Sequence, residues 1–129
     1  MKPNELFVGA WVSCYGDIGT VGMFNDETCA IWKNGDMSKP ENFIETAGMS
    51  PLFPGDLNPI PLTLDILTWN GFKYNRATDR YMYGNTSFGL FEEEGYFIGV
   101  VCGVWKRVQY VHELQLLLNF SGITANIKL

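Results

Sequence analysis

Few residues in this sequence are of a type and spacing to do acid–base, nucleophilic or metal chemistry. His112 is the only histidine. As a general base it needs a carboxylate to orient it, and Glu113 is its neighbour. On a helix, however, adjacent residues point to different faces, and His112 falls at the edge of the apolar stripe Val111, Leu114 and Leu118. A structural hydrogen bond or a surface position accounts for it better than catalysis. Cys14 or Cys102 has the chemistry of a nucleophile if paired with His112, but neither begins a helix, where a thiolate is favoured. The three cysteines, Cys14, Cys29 and Cys102, are odd in number and widely spaced. That fits neither a disulfide framework nor structural zinc, and it reads as three reduced, mostly buried small hydrophobes. Glu92-Glu93-Glu94 before Gly95 offers oxygen ligands to a hard cation. Such sites draw their ligands from staggered positions around a turn, so a solvated hairpin tip is the plainer reading. Gly19-Thr20-Val21-Gly22 lacks the lysine and the following helix of a phosphate loop. Nucleophile-elbow, zincin and kinase motifs are missing as well. The sequence therefore implies no catalytic residue, no metal and no cofactor.

Recognition chemistry is better represented. Trp11 and Tyr15 are four apart with Ser13 between them, which places both rings on one face of a strand. Trp32, in another strand candidate, can join them. On the outside of a small barrel the three rings make a groove for an extended or proline-rich peptide, and flanking acids favour a basic one. The competing reading puts them in the core, because a small barrel needs large side chains inside. Trp11, Tyr15 and Trp32 are accordingly the expected partner-binding residues. The chain has 9 basic and 14 acidic residues, a net charge of −5. Residues 1–62 hold eight acids against three bases, and residues 63–129 hold six of each. An acidic first half repels a phosphate backbone. Lys73, Arg76, Arg80, Lys106 and Arg107 remain as a possible basic patch, with solvated strand ends as the simpler account.

The elements that must position these residues are short. A chain of 129 residues, 47% hydrophobic and 15% aromatic, suits one globular domain. No apolar run approaches the ~20 residues of a membrane span, and the first residues lack a signal-peptide pattern, so a reducing cytoplasm is the expected location. Leu6 to Val8 leads into a strand at Trp11–Tyr15, with others at Gly19–Phe24 and Thr28–Lys33. The last is closed by Asn34-Gly35, a strong hairpin signal, and Phe43–Glu45 offers a fourth. Short strands and tight turns over residues 1–45 predict a small SH3-like meander or barrel. Residues 46–61, rich in proline and glycine, read as a connector that packs along the surface through Met49, Leu52, Phe53, Leu57 and Ile60. A helix should run from an N-cap at Thr63 to Asn70, with Gly71 at its left-handed C-terminal position. Strands follow at Phe72–Tyr74, Arg80–Tyr83, Ser87–Glu92 and Tyr96–Val108, then a helix over Gln109–Phe120, and a last strand at Thr124–Leu129. The fold expectation is α+β, a single domain in which the barrel packs with an antiparallel sheet carrying two helices.

Three stretches carry a resemblance. They are Leu6-Phe7-Val8-Gly9-Ala10-Trp11-Val12; Pro59-Ile60-Pro61-Leu62-Thr63 leading to Asn70-Gly71-Phe72; and Tyr110-Val111-His112-Glu113-Leu114-Gln115 ending near Ser121-Gly122. In this order the chain resembles a group of small uncharacterised proteins of Bacteroides-type gut bacteria, their prophages and mobile elements. Ala10 stands where that group more often has Asn, and the helix-end segment is shorter here. The resemblance implies a bacterial or phage cytoplasmic origin and no catalytic residue. The expected function is that of a non-enzymatic accessory or adaptor protein working through protein contacts. The alternative is a nucleic-acid-associated module using the basic residues of the second half, and a small enzyme comes third.

Overall fold

Tyr15 and Gly16 both adopt left-handed backbone conformations, with φ of 48° and 84°. Two such residues in succession make the turn whose twist matches a hairpin, and the strands on either side pair from Cys14 to Asp17. The computed structural model describes residues 1–25, 29–33, 53–101 and 103–129. It divides into two compact units, Met1–Ile60 and Pro61–Leu129.

The first unit contains strands β1 (Trp11–Cys14), β2 (Asp17–Phe24), β3 (Cys29–Lys33) and β4 (Asn58–Pro59). They form an antiparallel sheet in the order β3-β2-β1-β4. Side chains alternate across a strand, so Val12 and Cys14 share a face, and Val21 pairs with Ile31. These four, with Leu6, Ala10, Cys29 and Leu57, are the buried core of the unit. Gly19 is required where β2 meets β3, because a Cβ there would lie 2.6 Å from the Trp32 carbonyl oxygen. Among the described residues the expected barrel does not form: the sheet is open, with β3 and β4 as its outer strands. The short β4 contributes Pro59, which has no N–H to donate and is therefore confined to an edge. The second half of the expected connector is also more than a connector. It holds a 3-10 turn at Pro54–Asp56 as well as β4, and Leu57 and Ile60 are buried while Phe53 is exposed. The Met1 ammonium secures this segment by donating to the Pro54 and Leu57 carbonyl oxygens, at 2.9 and 2.6 Å. The expected Asn34-Gly35 turn, the Phe43–Glu45 strand, Met49 and Leu52 lie outside the described residues.

In the second unit, helix α1 (Leu64–Trp69) begins where the Thr63 hydroxyl accepts the Ile66 N–H, at 3.3 Å. It ends before Gly71, at φ 86°. Strands β5 (Phe72–Asn75), β6 (Arg80–Tyr83), β7 (Gly89–Glu93), β8 (Tyr96–Val101) and β9 (Val104–Val108) form an antiparallel meander in chain order. The single long strand expected over Tyr96–Val108 is instead the β8–β9 hairpin, turning at Gly103 with φ 77°. Helix α2 (Val111–Phe120) buries Val111, Leu114, Leu117 and Leu118. It seats Leu117 against Gly99 of β8, where any Cβ would collide with the leucine side chain. The last residues form no strand. Asn70 pins them by donating to the Lys128 carbonyl at 2.7 Å and accepting the Lys128 N–H at 2.7 Å, which seats Ile127 in the interior. Among the described residues, no helix is long and apolar enough to cross a membrane.

Two substitutions test this packing through urea unfolding. Leu114→Ala should cost about 2–5 kcal/mol, as for a fully buried leucine. Gly19→Ala should cost about 1–3 kcal/mol, because the obstacle is backbone and the strands must part. A loss below ~0.5 kcal/mol at either position would contradict the packing described.

Candidate functional site

The three rings singled out in the first half do not make one exposed face. Trp11 pairs with Thr20, and Thr20 pairs with Trp32. The two tryptophans therefore flank Thr20 in a row across β1, β2 and β3, on the face opposite the Val12/Val21/Ile31 core. Trp11 is only 5% exposed and Trp32 is half-buried. Tyr15 is not on the strand with Trp11 but in the left-handed turn beyond it, 58% exposed. Its hydroxyl donates to the Asp56 carboxylate, which raises the phenol above its usual pKa.

The groups considered for catalysis are committed elsewhere. Glu113 does not orient His112; its Oε1 accepts the N–H groups of Gln109 and Tyr110, each at 3.0 Å, and so caps α2. His112 is buried, its ring stacked on Tyr110 with centroids 5.9 Å apart. Cys14 and Cys29 are buried free thiols. Burial, then the charges of Asp56 and Asp17, push the Cys14 thiol up. Burial foremost pushes Cys29 up to about 11. Both shifts run against the thiolate a nucleophile needs. Cys102 lies outside the described residues. Among the described residues, no group of three or more His, Cys, Asp or Glu is placed to hold a metal ion. Glu92 and Glu93 end β7, with Glu94 in the turn that follows.

A shallow cleft of about 280 Å³ lies beside these acids, lined by Tyr74, Asp79, Tyr81, Phe91, Glu92 and Glu93. Tyr74 donates its hydroxyl to Asp79. The Tyr81 phenol is raised first by burial and then by its bond to Glu92. Two of the three carboxylates, Asp79 and Glu92, thus accept hydrogen bonds from phenols, and the cleft presents two closed pairs beside Glu93.

Sequence reasoning did not find the open face of the five-stranded sheet. Paired residues in an antiparallel sheet point the same way. Leu90, Gly99 and Lys106 belong to the face on which α2 rests, while Lys73, Met82, Phe91, Ile98, Val100, Trp105 and Arg107 belong to the other. On that second face Trp105 is 64% exposed and lies parallel to Phe91, with centroids 5.6 Å apart. The Arg80 guanidinium sits 4.4 Å from the Phe91 centroid, and Arg107 sits 4.1 Å from that of Tyr96. Arginine held over a ring is attracted by the ring's quadrupole. The expected basic patch is thereby divided: Lys73, Arg80 and Arg107 share the open face, Lys106 is on the opposite one, and Arg76 is in the β5–β6 turn. The available signal was period-2 alternation through β5–β9, hidden while Tyr96–Val108 is read as one strand.

No family model matches the chain, and comparisons with curated proteins and with solved structures find no match either. The geometry is therefore the ground for any functional reading.

Alkylation at pH 8, read site by site by mass spectrometry, should leave Cys14 and Cys29 unlabelled in the folded protein and label both after denaturation. A raised thiol pKa favours the folded state below the unfolded value near 9, and that stability is lost as pH climbs towards about 11. The unfolding free energy should thus fall across this window, and less steeply in Cys29→Ala. Rapid native labelling at either site would refute the buried placement.

Proposed function

We propose that this protein works by binding, as a non-enzymatic accessory or adaptor protein, and that the open face of the five-stranded sheet is its recognition surface. One observation carries the reading: an exposed tryptophan, Trp105, is held flat against Phe91, which is itself covered by Arg80 on the same face. A ring fixed in this way loses little freedom on contact, and pre-organisation of that kind favours affinity. Tryptophan, tyrosine and arginine are also the residues in which binding hot spots are enriched, and Trp105, Tyr96, Arg80 and Arg107 bring all three together. The setting in this reading is a bacterial or phage-infected cytoplasm, in keeping with the resemblance of the sequence motifs.

Affinity capture from the native host, run in parallel with Trp105→Ser and Tyr15→Ser, tests the assignment. A partner lost with Trp105→Ser, at a cost of ~2 kcal/mol or more in binding, while Tyr15→Ser retains it, is the expected result. Loss with Tyr15→Ser alone would move recognition to the β1–β2 turn. Equal recovery with all three proteins would remove the open face from consideration.

A further inference from the structure

The same face carries a charge pattern that points to a class of ligand. Of the six basic residues between positions 63 and 129, Lys73, Arg80 and Arg107 lie on it; of the six acids, only Glu93 does. A chain with a net charge of −5 thus keeps one surface on which positive charge prevails. The cations are interleaved with aromatic rings. Trp105 uses one side of its indole against Phe91 and is otherwise largely in water. Cations that meet phosphates, beside an aromatic plane on which a base can stack, are the combination that binds unpaired strands. A duplex keeps its base faces stacked inside and has nothing to lay on the indole. An acidic peptide would satisfy the charges but would leave the flat ring without a matching surface.

We propose that the open face of the five-stranded sheet binds single-stranded nucleic acid, with a base stacked on the outer side of Trp105 and phosphates drawn to Lys73, Arg80 and Arg107. The proposal rests on the reading of this face as the recognition surface and names its partner.

The test is fluorescence anisotropy with a short labelled oligothymidylate and with a duplex of the same length, at low ionic strength. The single strand should bind and the duplex should bind more weakly. Plotted as log K against log salt, the slope should be near about −2, roughly −0.7 for each of three phosphates. Trp105→Ala should weaken binding roughly 5- to 150-fold, the range for losing one stacked base. Trp69→Ala, which removes an exposed tryptophan on α1, should leave binding unchanged. Circular dichroism must show that Trp105→Ala folds; if it does not, Arg107→Glu, at an exposed position, should abolish binding in its place. Failure of the single strand to bind at low salt, preference for the duplex, or full affinity in a folded Trp105→Ala would overturn the proposal. Should oligonucleotides fail while Trp105→Ser still loses a captured protein, the nucleic-acid assignment falls and the recognition face stands. If both fail, so does the face.

Discussion

The contact between Leu117 of α2 and Gly99 of β8 decides how the second unit is used. A glycine on that face lets the helix side chain reach the backbone of the sheet, and Leu90 closes in from the next strand. A Cβ at position 99 would meet the Leu117 side chain first and Leu90 next, so the leucine would have to turn out of the place it now fills. Close packing of this sort commits the whole face, because side chains alternate and a strand cannot offer the same residues to both sides. Once α2 occupies the Leu90/Gly99 side, Phe91, Ile98, Val100 and Trp105 must be on the other. The open aromatic face is thus the counterpart of the helix contact.

The rings on that face do not sit as isolated hydrophobes. Phe91 lies between the Arg80 guanidinium and the Trp105 indole, and Tyr96 beneath Arg107 repeats the pairing on the next strand. Each cation is weakly hydrated and planar, which suits it to lie over a ring. The face therefore combines three properties usually in conflict on a protein surface: apolar area, positive charge and fixed geometry. Gly89 contributes to this by leaving room for the Met82 sulfur, 2.5 Å from where a Cβ would stand, with Arg80 also nearby.

The first unit shows a different economy. A tyrosine in the left-handed region costs of order 1 kcal/mol relative to glycine, yet Tyr15 occupies it and bonds to Asp56. Asp56 in turn accepts the Phe53 N–H at 2.9 Å, and the Met1 ammonium holds the carbonyl oxygens on either side of it. The β1–β2 turn, the 3-10 turn and the start of the chain are thereby joined by polar contacts around one carboxylate. Burial foremost, and then the charge of this carboxylate, raises the Cys14 thiol.

Much of the α+β organisation was legible in the residues, because its signals are local. Thr63 and Gly71 mark the ends of α1, and the spacing of Val111, Leu114, Leu117 and Leu118 marks the buried side of α2. Gly16, Gly84 and Gly95 punctuate the strands, and each takes a positive φ that side chains resist. What the sequence left undecided depends on contacts between distant segments. The partner of β1 on its outer side is β4, a two-residue strand supplied by a segment that looks like a linker. The fate of the tail turned on one asparagine side chain, Asn70, standing in for a strand partner. The placement of the aromatics was the largest such case. Trp11 and Tyr15 look equivalent at a spacing of four, but a left-handed turn at Tyr15 takes it out of the strand. Trp105 looks like part of an apolar run, and only the β8–β9 hairpin with α2 on the opposite side leaves its ring in water. Local sequence marks most of the strands; which of a strand's two faces meets solvent is settled by what packs against the other.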